Sequence, residues 1–269
     1  MVKYKDSFSQ KKTYLFLILG GIFITNAVVA ELIGVKIFSG EAALGLAPAQ
    51  IHLMSDFVLD FNLTAGAIIW PIVFITTDII NEYFGKEGVT RISYYTAILI
   101  LYVFLVIFLV THLPPAKFWL DINNSDPNGN PFNINFAFGK IFRQGLGIIA
   151  GSLTAFLLGQ LLDVFVFHKL RKITGERMIW LRATGSTLVS QIVDSFVVLF
   201  IAFYIFGNPS WSLKQVLAVG IINYIYKFVV AIVLTPLLYV GHNIIDRYLG
   251  HENAHDLAEE AAQKSEGFF

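Results

Sequence analysis

The sequence predicts an all-α integral membrane protein, folded as a bundle of six transmembrane helices. The chain of 269 residues is 56% hydrophobic and only 14% charged, and its apolar runs reach about 20 residues, enough to cross a hydrocarbon core. Ionisable residues interrupt these runs, where a lone charge costs about 2.5–3.5 kcal/mol and usually faces a partner or a water-filled path. They indicate a polar site within the bundle, and they are Glu31, Asp78, Glu82, Asp163, Asp194 and Lys227.

Six apolar runs define the helices in chain order. At 1.5 Å per residue each run is long enough to cross a core about 30 Å thick. The expected spans are 13–38, 65–85, 92–112, 146–168, 184–206 and 214–241. Together they form a transmembrane domain over 1–245, which a polar cytoplasmic tail over 246–269 follows.

The first run also has features of a secretory signal. A basic start precedes it, and Val28-Val29-Ala30 provides a small-residue cleavage site, so a cleaved signal peptide is an alternative. Hydrophobicity continues past that site to Phe38, which favours a membrane span. Within this span Asn26 and Glu31 lie from mid-depth towards the outer side and are candidate site residues.

The second run carries polar residues on one helical face. Asp78, Asn81 and Glu82 occupy positions i, i+3 and i+4, and Trp70 and Phe74 extend the same face. Two carboxylates one turn apart repel each other unless a cation, a proton or a donor-rich ligand separates them. Glu82 has a second interpretation, because near the cytoplasmic end it also fits a solvated helix terminus.

The sequence predicts no metal site and no cofactor. It contains no cysteine, which excludes disulfides and thiolate ligands. In the long loop at 113–145, Asp121 and Asn123 resemble the start of a calcium loop, but Asp126 and Phe132 stand where that loop needs Gly and a bidentate Glu. The chain also lacks a Gly-x-Gly-Asp segment and a Gly-x-Ser-x-Gly elbow, so we do not expect an enzyme.

The fourth and fifth runs combine small and polar residues at helical spacing. Small residues recur every four positions at Gly147, Gly151, Ala155 and Gly159, and Asp163 continues the stripe. The fifth run repeats the spacing with Ser186, Ser190 and Asp194. Small residues let membrane helices approach closely, so we expect these faces to point inward. A homodimer through the same glycine ladder is an alternative to packing within one chain.

Opposite charges lie near the centres of the fifth and sixth runs. Adjacent antiparallel helices place Asp194 and Lys227 at similar depth, so we expect an ion pair. Amides accompany the charges, because Asn223 lies one turn before Lys227 and Gln160 one turn before Asp163.

Lysine and arginine are distributed unequally between the two sides of the bundle. The outer loops hold Lys117, Lys140, Arg143 and Lys214. The cations on the other side are Lys3, Lys5, Lys11, Lys12, Lys86, Arg91, Lys169, Arg171, Lys172, Arg177, Arg182, Arg247 and Lys264. Because cytoplasmic loops carry the excess of positive charge, both termini are predicted to be cytoplasmic.

The polar residues describe a cavity rich in carboxylates and amides, with aromatic surfaces nearby. Such a cavity suits a flat heterocycle with several hydrogen-bond donors. The candidate substrate-binding residues are Asn26, Glu31, Trp70, Phe74, Asp78, Asn81, Glu82, Gln160, Asp163, Gln191, Asp194, Asn223 and Lys227.

Three runs of residues resemble the queuosine precursor transporter family. They are Thr76-Thr77-Asp78-Ile79-Ile80-Asn81-Glu82-Tyr83-Phe84-Gly85-Lys86, then Gly159-Gln160-Leu161-Leu162-Asp163-Val164-Phe165-Val166-Phe167, and then Ser186-Thr187-Leu188 with Gln191-Ile192-Val193-Asp194 and Phe200-Ile201-Ala202-Phe203. The likeness extends over about 65–240. It implies uptake of 7-cyano-7-deazaguanine or 7-aminomethyl-7-deazaguanine, which bacteria salvage to modify tRNA. It also implies a fold similar to the S-components of energy-coupling-factor vitamin transporters.

The leading interpretation is a carrier in the bacterial inner membrane that binds a deazaguanine near the midplane. Its expected partners are this small molecule and the lipid bilayer, without nucleic acid. We expect Trp70 or Phe74 to stack on the base, and the expected polar contacts are Asp78, Gln160, Asp163, Gln191 and Asp194.

A second interpretation keeps the binding role but adds a partner. The chain would then be the substrate-binding S-component of an ATP-driven vitamin or nucleobase uptake system. Ala30 and Gly34 in the first span offer a small-residue docking face for that partner.

Overall fold

The structure, a computed structural model, describes residues 2–53, 57–143, 145–175 and 178–266. Its α-helices are α1 (Val2–Ile33), α2 (Gly40–Ala43), α3 (Trp70–Thr111), α4 (Lys117–Ile122), α5 (Ile134–Phe142), α6 (Leu146–Thr174), α7 (Ile179–Leu199), α8 (Leu213–Leu249) and α9 (His251–Glu266). A 3₁₀ turn (Ala65–Ile68) precedes α3, and a π-helical turn (Phe200–Ile205) follows α7. Arg177 and the side chains of Lys3 and Lys5, which entered the prediction of orientation, lie outside the described part.

Five helical segments in the described part of the chain are long and apolar enough to cross a membrane. They contain α1, α3, α6, α7 and α8. The all-α membrane fold is therefore confirmed, but the expected six separate helices are not. The runs predicted at 65–85 and 92–112 both fall within α3, which has 42 residues. A straight helix of that length would measure about 60 Å, twice the hydrocarbon core.

A break at Gly85 divides α3 into two legs. The backbone there has φ 66° and ψ −172°, a combination open almost only to glycine. Both sides of the break touch the same ring of α1. The Phe84 and Phe16 centroids are 5.0 Å apart, and a Cβ added at Gly88 would lie 3.6 Å from Phe16 Cε2. One glycine thus replaces the loop that the sequence predicted between two spans.

The contacts with α1 indicate that the two legs run in opposite directions. Just ahead of the first leg, Gly66 packs so closely on α1 that an added Cβ would lie 2.6 Å from the Ala30 carbonyl oxygen. At the break the contact has moved to Phe16. On the second leg Ile92 faces Gly20 of α1. A Cβ added at Gly20 would lie 3.0 Å from the Cδ1 atom of Ile92. The chain therefore follows α1 in one direction and returns beside it.

Two antiparallel sheets of two strands each, together called the hairpin region, join α1 to α3, where the sequence predicted no strands. Strand β1 (Ile37–Ser39) pairs antiparallel with β4 (Asn62–Thr64), and β2 (Ile51–Leu53) pairs antiparallel with β3 (Phe57–Leu59). Strands of three residues are too short to produce a recognisable alternation of polar and apolar residues.

Glu41 holds this hairpin region together. Its carboxylate accepts hydrogen bonds from the backbone N–H groups of Phe61 (2.7 Å) and Ala49 (3.3 Å) and from the Ser39 hydroxyl (3.0 Å). The Phe61 N–H is the main cause that holds the pKa of Glu41 below its usual range.

Helices α6 and α7 pack against each other through the predicted glycine ladder. A Cβ added at Gly151 would lie 2.9 Å from the Val198 carbonyl oxygen. At Gly159 the nearest atom to an added Cβ is the Asp194 Cβ, at 3.8 Å. The ladder is therefore used within the chain, as one of the two sequence-based alternatives expected.

The C-terminal helix α9 packs on the end of the bundle with one buried face. Its buried residues are Ala254, Leu257, Ala258 and Ala261. Arg171 of α6 donates to the Ala258 carbonyl oxygen at 2.9 Å, and Lys12 of α1 lies 3.3 Å from the Glu260 carboxylate. This helix thus bridges two membrane helices.

Candidate functional site

A cavity of about 530 Å³ lies among α1, α3, α6, α7 and α8. It reaches the hairpin region at Val58, Asp60 and Asn62. Its volume falls within the range of about 300–1,000 Å³ that is typical of small-molecule sites. Seven of the predicted site residues line it: Glu31, Trp70, Phe74, Asp78, Asp194, Asn223 and Lys227.

The predicted ion pair between α7 and α8 is present in the wall of this cavity. The Lys227 ammonium group donates to Asp194 Oδ2. The two side chains are 18% and 27% exposed, so the cavity leaves part of the pair open to a ligand. Asn223 lies one helical turn before Lys227 and also lines the cavity.

Two further carboxylates reach the cavity. Asp78 is 6% exposed, and its Oδ1 atom has no hydrogen-bond partner among the described residues. Because an unsatisfied buried acceptor is costly, this oxygen is suited to receive a donor from a ligand. Glu31 accepts a hydrogen bond from the Ser152 hydroxyl, which links α1 to α6.

Aromatic rings form part of the apolar wall, together with aliphatic side chains. Trp70 and Phe74 stack on each other with centroids 5.9 Å apart and an interplanar angle of 19°. Phe203 and Trp211 form a second stack at 4.3 Å, and Tyr226 completes the lining. Sequence analysis did not predict Phe203, Trp211 or Tyr226 as site residues, since tertiary packing alone brings them to the cavity.

A second, much smaller cavity of about 10 Å³ lies behind Trp70 and Phe74. The predicted residues Gln160, Asp163 and Gln191 line this space and not the larger cavity. Trp70, Phe74 and Asp194 belong to the walls of both. The predicted set is therefore divided between two adjoining spaces.

Three predicted residues line neither cavity. Asn26 donates its amide N–H to the Ile22 carbonyl oxygen of its own helix, at 2.7 Å. Asn81 is fully buried, with its amide nitrogen 3.5 Å from Asp163 Oδ2. The third is Glu82.

Glu82 joins α3, α6 and α7 through two arginines. Arg182 donates from Nε and Nη2 to the two carboxylate oxygens of Glu82, at 3.0 and 2.8 Å. Arg171 approaches the same carboxylate at 3.5 Å. Glu82 is 5% exposed, so the alternative interpretation of this residue as a solvated acid at a helix terminus is wrong. Both arginines had been counted among the loop cations.

Helix α9 begins with a metal-binding spacing that the sequence-based expectation of no His-Glu-x-x-His zinc helix overlooked. His251-Glu252-Asn253-Ala254-His255 matches the His-Glu-x-x-His pattern of zinc metalloproteases. Both histidines are exposed. In the described residues no group of three or more His, Cys, Asp or Glu side chains is placed to hold a metal ion. A catalytic zinc site needs three protein ligands, so this motif does not form one here.

Comparisons with known proteins agree with a transporter. A family model described as "Putative vitamin uptake transporter" matches residues 64–241. The "Probable queuosine precursor transporter" of Bacillus subtilis is 31% identical over 189 residues, which cover 69% of this chain and 75% of that protein.

Two other curated proteins give similar values. The "Probable queuosine precursor transporter" of Haemophilus influenzae is 30% identical over 199 residues, 72% of this chain and 74% of that protein. The "Queuosine precursor transporter" of Escherichia coli is 28% identical over 183 residues, 68% of this chain and 73% of that protein. No solved structure matches the chain.

Proposed function

The chain belongs to the family of the queuosine precursor transporters and putative vitamin uptake transporters, and from this membership we propose that it carries queuosine precursors across the bacterial inner membrane. This is a family of membrane transporters, not of enzymes. The fold is that of a multi-pass membrane protein. The substrate and its place in the cavity are the proposed part.

The proposed substrate is a 7-deazaguanine that binds in the larger cavity. Its flat ring packs against Trp70 and Phe74, and its donor edge faces Asp78. The observation that carries this proposal is the unpartnered Oδ1 atom of Asp78 beside an aromatic wall. Lys227 and Asn223 are placed to donate to the ring carbonyl.

The number of carboxylates favours the aminomethyl over the cyano precursor. Four carboxylates, Glu31, Asp60, Asp78 and Asp194, line the cavity, whereas Lys227 supplies an ammonium group. A ligand with a positive charge offsets the remaining negative charge better than a neutral ligand. We therefore propose 7-aminomethyl-7-deazaguanine as the tighter ligand.

We propose six membrane crossings with both termini in the cytoplasm. The opposite directions of the two α3 legs along α1 support this topology, because each leg is then one crossing. Lys86 and Arg182 fall on the cytoplasmic side of such a bundle, and the hairpin region falls outside, in agreement with the distribution of positive charge.

In this orientation the larger cavity reaches the outer side and is closed towards the cytoplasm. The closure consists of the Glu82–Arg182 pair and of Tyr83, which donates to Asp246 at 2.7 Å. Transport then requires these contacts between α3, α7 and α8 to open while the hairpin region closes over the ligand. This is the alternating access expected of a carrier.

The ATP-driven alternative is not favoured. Its expected docking face included Ala30, which is 1% exposed and packs on Gly66 within the chain. The glycine ladder likewise packs α6 on α7, which leaves it unavailable for the expected homodimer.

Binding of 7-aminomethyl-7-deazaguanine to the purified protein, by calorimetry, tests the proposal. We expect binding to the native chain, weaker binding of 7-cyano-7-deazaguanine, and a loss of at least about tenfold in affinity for Asp78→Asn, the cost of one charge-assisted hydrogen bond. Glu87→Gln is the matched control, since the Glu87 side chain is 75% exposed on the surface. Equal affinity in native protein and Asp78→Asn would remove Asp78 from the site.

A further inference from the structure

The smaller cavity contains a buried carboxyl group that pairs with no cationic side chain of the described residues. Asp163 lines it and is 5% exposed. In the described part of the chain, no lysine, arginine or histidine nitrogen lies within 4.0 Å of its carboxylate. Asp194, the other carboxylate of this wall, is paired with Lys227. A buried charge needs compensation, so the ionised form of Asp163 requires a nearby cation.

The other polar groups around this cavity present oxygen atoms. Gln191 is 4% exposed, and in the part of the chain that the structure describes its Oε1 atom has no hydrogen-bond partner. Gln160 Oε1 lies 3.4 Å from the Thr77 hydroxyl, and the Ser190 hydroxyl lies 3.3 Å from Asp163 Oδ1. Carboxylate, amide and hydroxyl oxygens are the ligands that small, hard cations prefer.

The volume of the smaller cavity limits the size of the ion that it can hold, and the charge of its wall limits the charge of that ion. About 10 Å³ is the lower limit for one water molecule, so a hydrated divalent ion does not fit. One unpaired carboxylate balances one positive charge. We propose that this cavity binds a sodium ion, with oxygen ligands from Asp163, Gln160, Gln191 and Ser190.

The two cavities share a wall, which provides a route for coupling. Trp70, Phe74, Thr187 and Asp194 line both. An ion that fixes α6 against α7 thereby stabilises the part of the wall, at Thr187 and Asp194, that the two cavities share. The ion and the base then each raise the affinity of the protein for the other, and such couplings typically change affinity by about 5–150-fold. This coupling rests on the proposed function, whereas the ion site itself does not.

The experiment compares sodium, potassium and N-methylglucamine chlorides at equal concentration with purified protein. Sodium alone is expected to raise the midpoint of thermal unfolding without any base. It is also expected to tighten binding of 7-aminomethyl-7-deazaguanine at least about fivefold. Asp163→Asn should abolish both effects. Asn223→Ala, which changes only the larger cavity, should keep the sodium-dependent midpoint.

Each outcome separates the ion site from the substrate. Equal midpoints in sodium and potassium overturn the sodium site, and so does a midpoint that responds to pH but not to sodium. A sodium-dependent midpoint without base binding supports the ion site and rejects the proposed substrate. If Asp163→Asn does not fold, Gln191→Met is used instead. It should raise the sodium concentration required for half of the stabilisation, and an unchanged requirement would count against the site.

Discussion

Among single residues, Glu82 has a role that follows from its burial. Its side chain is 7% exposed, and that of Arg182 is 2% exposed. A bidentate pair of this kind adds little net stability, because both charges have lost their hydration. Removing one partner is different, because it leaves an unpaired charge in the interior. The pair therefore acts mainly as a specific lock between α3 and α7.

We predict that Glu82→Gln lowers the free energy of unfolding by about 3–5 kcal/mol, the cost of breaking a buried ion pair. Titration with SDS in mixed micelles measures this change. Glu87→Gln, two residues beyond Gly85 and in a surface pair with Arg91, should change stability by less than about 1 kcal/mol.

A double variant separates the lost charge pair from a general defect. Glu82→Met with Arg182→Met removes both charges and should recover part of the lost stability. If the double variant is less stable than Glu82→Gln, the unpaired arginine is not the cause of the destabilisation.

The Asp194–Lys227 pair was predictable, but the Glu82–Arg182 pair was not. Depth along two adjacent helices follows from counting residues, which placed Asp194 beside Lys227. Arg182 lies before the expected fifth span, because its charge lowers the local hydrophobicity. The helix nevertheless begins at Ile179, since Glu82 compensates Arg182 within the bundle. Only the tertiary structure contains that information.

At the scale of secondary structure, Gly85 decides the course of α3. Its φ and ψ angles lie in a region that other residues reach only at a cost of about 1–3 kcal/mol. Without this conformation, a continuous helix would have to extend far beyond the membrane. The reversal at Gly85 thus allows the polar face around Asp78 and the following apolar leg to belong to one bundle.

We predict that Gly85→Ala lowers the free energy of unfolding by about 1–3 kcal/mol through backbone strain. The matched control is Gly21→Ala in α1, where an added Cβ meets no atom within 4 Å. It should be neutral or stabilising by up to about 1 kcal/mol, since alanine is the better helix former. SDS titration measures both variants. Equal stability of Gly85→Ala and the native protein would contradict the strained turn.

The hairpin region depends on the ionised form of Glu41. Backbone N–H donation lowers the pKa of this carboxyl group on folding. Its stabilising effect is therefore complete above the unfolded pKa and is lost as the pH falls through the folded pKa.

We predict that acidification from pH 7 to below about 4, the usual range for a glutamate, weakens protection of the Phe61 and Ala49 amides against hydrogen exchange. In Glu41→Gln the protection should be weaker already at pH 7 and should change less with pH. Unchanged protection of Phe61 in this variant would mean that Glu41 does not hold the hairpins.

The lengths of the apolar runs predicted where helices occur better than they predicted where those helices end. The runs at 146–168 and 214–241 correspond to α6 and α8, but the helices continue to Thr174 and Leu249. Hydrophobicity ends at the membrane surface, whereas helical hydrogen bonding continues through polar residues beyond it. The hairpins were not predicted, because Glu41 and its backbone donors are distant in sequence.

At the scale of the whole molecule, the distribution of positive charge and the closed end of the larger cavity both favour the same orientation in the membrane. The chain has no formal net charge, yet its cations concentrate on the side that α9 covers. There Arg171 contacts both Glu82 and the Ala258 carbonyl oxygen. In the proposed orientation the same residues satisfy the positive-inside rule and close the cavity towards the cytoplasm. Opening that side requires α9 or α6 to move.

Labelling of single cysteines with a membrane-impermeant maleimide tests this arrangement on a chain that has no cysteine of its own. Asn128→Cys and Leu113→Cys should react from outside the cell, whereas Glu87→Cys and Lys264→Cys should react only after permeabilisation. The native residues are exposed at all four positions, so access and not burial decides the result. Glu87 lies at the start of the second leg of α3, and Leu113 lies two residues after the end of that leg. Opposite labelling at these two positions requires that the leg crosses the membrane after the reversal at Gly85. Labelling of Glu87→Cys from outside would exclude six crossings.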